Sequence, residues 1–286
     1  MTGSLPPEIN LWHELEEFAF INNQVGGNIP RNFGFNMTSL RTVILQGNEL
    51  TGTIPNDFLS ESPLEVLMLG DNKFFGSVPR EVGNTETLIQ LMLDGNRLGG
   101  NVPVELADYE NLGALSLANN EVEGTIPNRL FSLSNMERFH FDGNPDITGT
   151  IPSFINEMEY LTELRLGGTG MRGTIPDEFF ELTRVTELDL SDASFSGSLS
   201  EEFSNFSETM RRIVLNNNSF SGRIPEGFAE MTSLSEYFCA LLNRPNSCTC
   251  IPNSAKLFVF VFRRYFGSSR ERTCWLCPCR YMRASR

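Results

Sequence analysis

The chain has 286 residues, 40% of them apolar, with 22 Lys or Arg against 36 Asp or Glu and a formal net charge of −14. That apolar share supports an ordered core, whereas the acidity disfavours a phosphate backbone, so nucleic acid is not an expected partner. The charge is uneven: residues 256–286 hold eight basic residues and only Glu271, a net of +7, which leaves 14 basic against 35 acidic residues, a net of −21, before them.

The first recognisable element comes at once, as Gly3-Ser4-Leu5-Pro6, and it recurs along most of the chain. The glycines of this Gly-x-apolar-Pro unit are Gly3, Gly27, Gly52, Gly76, Gly100, Gly124, Gly149, Gly173, Gly197 and Gly222, always 24 or 25 residues apart. Nine of the ten units keep the proline, and Ser200 is the exception. An asparagine recurs in phase at Asn23, Asn48, Asn72, Asn96, Asn120, Asn144 and Asn218, with Thr169 and Ala193 in its place in two adjacent units. Such a period marks a stack of repeats.

A unit this short cannot build its own core, so its apolar residues must be buried against copies above and below. Leu40, Val43 and Leu45 predict a short strand, repeated as Leu64-Leu67-Leu69, Leu88-Leu91-Leu93 and Leu112-Leu115-Leu117. Stacked copies form a parallel sheet with rungs about 4.8 Å apart. After the strand the chain turns inward and brings unpaired backbone groups into an apolar interior. A buried asparagine amide satisfies both donors and acceptors, and leaving such groups unpaired costs about 1–3 kcal/mol each. Thr169 and Ala193 therefore predict the weakest stretch. Glycine then allows unusual dihedrals, and Ile-Pro predicts a stiff extended segment. Three residues past each proline position an apolar anchor returns: Ile9, Phe33, Phe58, Val82, Leu106, Leu130, Ile155, Phe179, Phe203 and Phe228.

The pattern LxxLxLxxNxLxGxIP resembles the plant-type leucine-rich repeat of receptor-like proteins, receptor-kinase ectodomains and polygalacturonase-inhibiting proteins, with similar arrays in algae and diatoms. The resemblance covers roughly residues 1–238. It implies an α/β right-handed solenoid, or horseshoe, with a parallel sheet on the concave face and a 3-10 or irregular convex side. It also implies binding rather than catalysis, and no cofactor.

The side chains between the core leucines face outward on that sheet, where two zones are expected to bind. Ile44, Val66, Met68 and Met92, with Gln90 beside them, form an apolar patch suited to adaptable contacts. Arg138, His140, Asp142, Glu163, Arg165, Glu187, Asp189 and Arg212 form a charged zone, with Arg138 expected beside Glu163, Arg165 beside Asp189, and Glu187 beside Arg212. The plainer account of each zone is stack filling and cross-strand charge pairing, worth about 0.2–1 kcal/mol per pair. Ser116, His140 and Asp142 match a catalytic triad in composition only, because His140 and Asp142 point the same way along one strand. Gly167-Gly168-Thr169-Gly170 lacks the lysine and helix of a phosphate loop.

Past the repeats, residues 239–286 hold all six cysteines: Cys239, Cys248, Cys250, Cys274, Cys277 and Cys279. They suit a disulfide-stapled cap in an oxidising compartment. A zinc site from Cys248, Cys250, Cys274 and Cys277, or a tail without function, are the alternatives, and no metal is assigned. The apolar run in KLFVFVFRRYF (256–266) is too short to span a membrane. Sequons at Asn36 and Asn205 are candidate glycosylation sites, whereas the one at Asn217 adjoins the in-phase Asn218. No signal segment or capping unit precedes the first repeat, so the expectation is a fragment of a longer extracellular or cell-surface protein. Its expected role is recognition of a protein, peptide or glycan on the concave face. The alternative is a structural or adhesive scaffold without a discrete ligand site.

Overall fold

The computed structural model describes residues 1–31, 33–56 and 58–238. All six cysteines, the disulfide and zinc alternatives and the 256–266 segment lie outside them. Each coil crosses two parallel sheets of ten strands each. The first sheet contains the leucine strands, three residues apiece: Glu17–Ala19, Thr42–Ile44, Val66–Met68, Gln90–Met92, Ala114–Ser116, Arg138–His140, Glu163–Arg165, Glu187–Asp189, Arg212–Val214 and Glu236–Phe238. The register is strict, so that Leu115 stands between Leu91 and Phe139, all three buried. This is the concave sheet of the expected fold.

The second sheet departs from the sequence reading, which foresaw only a stiff extended segment. Its strands include Glu49–Gly52, Lys73–Ser77, Arg97–Asn101, Glu121–Thr125 and Ser194–Ser198. Leu50, Phe74, Leu98 and Val122 point inward while their neighbours alternate outward, which is the period of a strand. Residues 22 or 23 apart face one another across this sheet, as Thr51 does Lys73 and Gly26 does Glu49, and their main-chain groups pair. The glycine column makes this possible. At Gly124 φ is +81°, and a Cβ there would come within 2.5 Å of Oδ1 of Asn101 in the coil before.

The return side carries seven 3-10 helices among the described residues, at Pro7–Leu11, Val104–Asp108, Asn128–Ser132, Ser153–Glu157, Asp177–Glu181, Glu201–Phe206 and Glu226–Glu230. Among the described residues the other three coils show none, and each has a residue at positive φ there: Gly34, Leu59 and Gly83. A left-handed residue stops a right-handed turn. The anchor column is buried throughout, and its phenylalanines touch across coils, with Phe33 5.6 Å from Phe58 and Phe203 4.9 Å from Phe228 between ring centroids. Truncating such a buried residue to alanine costs about 3–5 kcal/mol.

The in-phase asparagines bind coil to coil. Asn120 Nδ2 donates to Leu117 O in its own coil and to Leu93 O in the preceding one, each at 3.0 Å, while Oδ1 accepts from Leu98 N at 2.9 Å. Asn48, Asn72, Asn96, Asn144 and Asn218 repeat the arrangement. Asn23, half-buried, keeps part of it: Nδ2 donates to Ile21 O at 2.9 Å and Oδ1 accepts from the Met1 amino group at 2.7 Å. Thr169 partly substitutes, its hydroxyl donating to Leu166 O at 2.7 Å.

Candidate functional site

On the concave sheet the outward side chains form columns. Ile44, Met68 and Met92 stand in successive register positions, with Val66 and Gln90 one column over. They are half-buried rather than fully exposed, because short strands let neighbouring rungs overlap one another's side chains.

The charged zone is tighter. Arg138 is in register with Glu163, Arg165 with Asp189, and Glu187 with Arg212. Two close ionic contacts nevertheless run diagonally, Arg165 Nη2 2.7 Å from Glu187 Oε2 and Arg212 Nη1 3.6 Å from Asp189 Oδ2, while Arg165 Nη2 also lies 3.1 Å from Glu163 Oε2 on its own strand. A long guanidinium side chain reaches past its opposite neighbour. His140 is buried and places Nε2 3.0 Å from Glu163 Oε2. That imidazole is the main reason the Glu163 carboxyl lies below its ordinary value, with Arg165 and Arg138 adding to it against burial. Asp142 and Asp94 are both pushed up, chiefly by burial.

Between the two zones the sheet dips. The outward residues of one coil are Gly113, Ala114, Ser116 and Ala118, and all but Gly113 are buried. Gln90, Met92 and Asp94 stand on one side of this trough, and Arg138, His140 and Asp142 on the other. Ser116 is in register with His140, but its hydroxyl bonds the Asp94 carboxylate, while the imidazole faces Glu163. The three groups of the triad composition thus turn to different partners. Gly167 faces side chains of the next coil: a Cβ there would lie 2.5 Å from Asp189 Oδ1, which would have to shift.

With this geometry in view, the comparisons with known proteins agree on architecture. The family model described as Leucine Rich Repeat matches residues 39–60, 184–206 and 209–231. The structure of the plant peptide hormone receptor RGFR1 in complex with RGF2 superposes with a TM-score of 0.76 at 28% identity, over 90% of this chain and 38% of that one. The fold is a leucine-rich-repeat solenoid. The Arabidopsis receptor kinase HAESA, solved with the peptide hormone IDA and the co-receptor SERK1, gives a TM-score of 0.76 at 29% identity, covering 84% of this chain and 40% of that one. A plant ice-binding protein gives 0.66 at 25% identity, over 78% and 71% of the two chains. In sequence, Protein STRUBBELIG-RECEPTOR FAMILY 1 of Arabidopsis thaliana is 37% identical over 65 residues, 23% of this chain and 8% of that protein. The chain therefore spans well under half the length of the receptors it is similar to.

The trough of this leucine-rich-repeat array opens at one flank into a cavity of about 580 Å³ lined by Glu65, Glu86, Ile89, Gly113, Glu137 and Tyr160, among others. Of its lining, sequence reasoning singled out Gln90 and Arg138 alone. The signal was present one column before the strands, which reads Glu16, Arg41, Glu65, Ile89, Gly113, Glu137, Thr162, Thr186 and Arg211. Among these, Gly113 alone lacks a side chain. Of the two candidate glycosylation residues, Asn36 is exposed, and Asn205 is exposed with its amide donating to Phe180 O at 3.2 Å. Among the described residues no helix is long and apolar enough to cross a membrane.

Proposed function

We propose that this chain is the extracellular recognition part of a receptor-like protein, non-catalytic, taking a peptide or protein across its concave sheet. The observation that carries the reading is a set of buried polar atoms without hydrogen-bond partners there: Arg138 Nε, Asp142 Oδ1 and Arg165 Nε. Buried polar groups are nearly always paired, and a ligand laid over these side chains supplies partners once they turn towards it. The likeness to two receptors solved with peptide hormones supports the same choice. In this reading residues 1–238 are the binding array and 239–286 a separate basic tail, and Asn36 and Asn205 carry glycans. Affinity selection of a displayed peptide library on the full chain tests it. Selected peptides are expected to bind at least tenfold more weakly to Arg165→Ala and Met92→Ala. Binders indifferent to every concave substitution would overturn it.

A second reading, the adhesive scaffold, draws on the other sheet. Ser4, Asn28, Thr53, Ser77, Asn101, Thr125, Thr150, Thr174 and Ser198 follow nine of the ten glycines, all exposed and uncharged at one repeat position, and Arg223 follows the tenth. Such regularity suits a periodic surface, and one similar structure is that of an ice-binding protein. Thermal hysteresis that vanishes in Thr125→Asp/Thr174→Asp would favour this reading over the first.

A further inference from the structure

We propose that the cavity flanking the concave sheet is a subsite for one basic side chain, Lys or Arg, of a peptide ligand. The inference rests on the reading above that a peptide lies across this sheet. The volume of about 580 Å³ falls within the range of ligand sites.

The opening is not a requirement of the fold. Gly113 does not have the positive φ of the repeat's glycine column, and a Cβ added to it would meet Asn135 O at 3.5 Å and Ile89 Cγ2 at 3.8 Å, ordinary contacts. Other coils place Arg41, Glu65, Ile89 or Glu137 at this position. The next outward residue is Ala114 where other coils have Gln90 or Arg138. Two adjacent small residues in one coil thus open a space that the stack itself does not need.

The lining selects the occupant. Its apolar part is Ile89, 43% exposed, and Tyr160, 41% exposed, two large side chains left bare beside the opening. Its charged part is Glu65, Glu86, Glu137 and Arg138. Glu65 is paired with Arg41, while Glu86 and Glu137 make no ion pair among the described residues. Asn111 and Asn135 donate their amides to Glu86 O and Glu110 O, at 2.7 and 2.9 Å, which leaves their carbonyl oxygens as acceptors. Tyr160 already takes a cation on its ring, with Arg184 Cζ 4.5 Å from the centroid. Acceptors and unpaired carboxylates beside two apolar walls match an aliphatic stem with a cationic head. A carboxylate or phosphate would meet net repulsion there, because Arg138 is one cation against Glu65, Glu86 and Glu137.

The test is an NMR titration of the full chain with acetyl-Gly-Lys-Gly-amide, compared with the same peptide carrying norleucine. The expected result is shifts at the Gly113 and Ala114 amides, with the norleucine peptide binding at least fivefold more weakly. Gly113→Leu should abolish the shifts without lowering the melting temperature, and Glu86→Gln/Glu137→Gln should remove the preference for lysine. Equal binding of the two peptides, no response of the Gly113 and Ala114 amides, or indifference to Gly113→Leu would each overturn the subsite. The library selection separates the two ideas. Peptides that need Arg165 but show no enriched Lys or Arg, and bind Gly113→Leu unchanged, sink the subsite and keep the recognition reading. Lysine-dependent shifts in a protein that selects no concave-face peptide keep the subsite and sink that reading.

Discussion

The backbone amide of Met171 reaches Thr169 Oγ1 at 3.4 Å, whereas the equivalent amide of Leu98 is met by Asn120 Oδ1 of the following coil at 2.9 Å. The difference originates at Ala193, which occupies the asparagine position of the coil after Thr169 and offers no acceptor. Ala193→Asn is expected to supply one, and to donate to Leu166 O and Leu190 O as its counterparts do. A gain of about 1 kcal/mol in urea unfolding follows. The reverse change, Asn120→Ala, orphans several buried groups and is expected to cost more than about 2 kcal/mol. An unchanged urea midpoint in Ala193→Asn would count against the ladder as a main source of cohesion between coils.

The glycines divide into two kinds, and alanine substitution separates them. Gly124→Ala adds a Cβ at φ +81° within 2.5 Å of Asn101 Oδ1, so a loss above about 1 kcal/mol is expected. Gly113→Ala meets only ordinary contacts and is expected to gain about 0.4–1 kcal/mol by restricting the unfolded chain. Differential scanning calorimetry of the two variants reads the opposite signs directly.

Much of this fold was legible because a repeat states its pattern ten times. The strand leucines, the anchor column and the in-phase asparagines each need one residue type at one position, so spacing alone identifies them. What escaped depends on side-chain reach or on a column left unread. The ion pairs run diagonally because the Arg165 side chain outspans the distance to Asp189, which register cannot reveal. The second sheet shows in the sequence only as a stiff extended segment, since its strands, such as Glu121–Thr125, contain a glycine that normally weakens a strand. Here that glycine makes room for the preceding coil. The flanking cavity escaped because the outward columns were read from the first strand residue onward, one place past Gly113.

Acid should act on the concave carboxyls in opposite directions. Glu163 has a folded value below its ordinary 4.5, so its favourable contribution is complete above 4.5 and is lost as pH falls through the folded value. Asp142 and Asp94 have folded values above 3.8, so each carries a penalty at neutral pH that disappears as pH falls through the raised value towards 3.8. Asp142→Asn is therefore expected to raise stability at pH 7 and to leave it unchanged at pH 3. Glu163→Gln is expected to lower stability at pH 7, with the deficit shrinking in acid. Urea midpoints at the two pH values decide both signs.

Arg165 is the cation that binds the charged zone together, since one Nη2 serves both Glu163 and Glu187. Replacing it with methionine keeps most of the aliphatic stem and removes the charge, leaving Glu163, Glu187 and Asp189 on adjacent rungs with less compensation. Because the guanidinium is about one-third exposed, each pair is worth roughly 0–1 kcal/mol. The expected loss in Arg165→Met is therefore modest, about 1 kcal/mol at low salt. At 1 M salt the screening length falls to about 3 Å, and the gap between wild type and variant should narrow to less than half. A gap that persists at high salt would mean that Arg165 stabilises the sheet through directed hydrogen bonds and stem packing, with like-charge repulsion among the three acids contributing little.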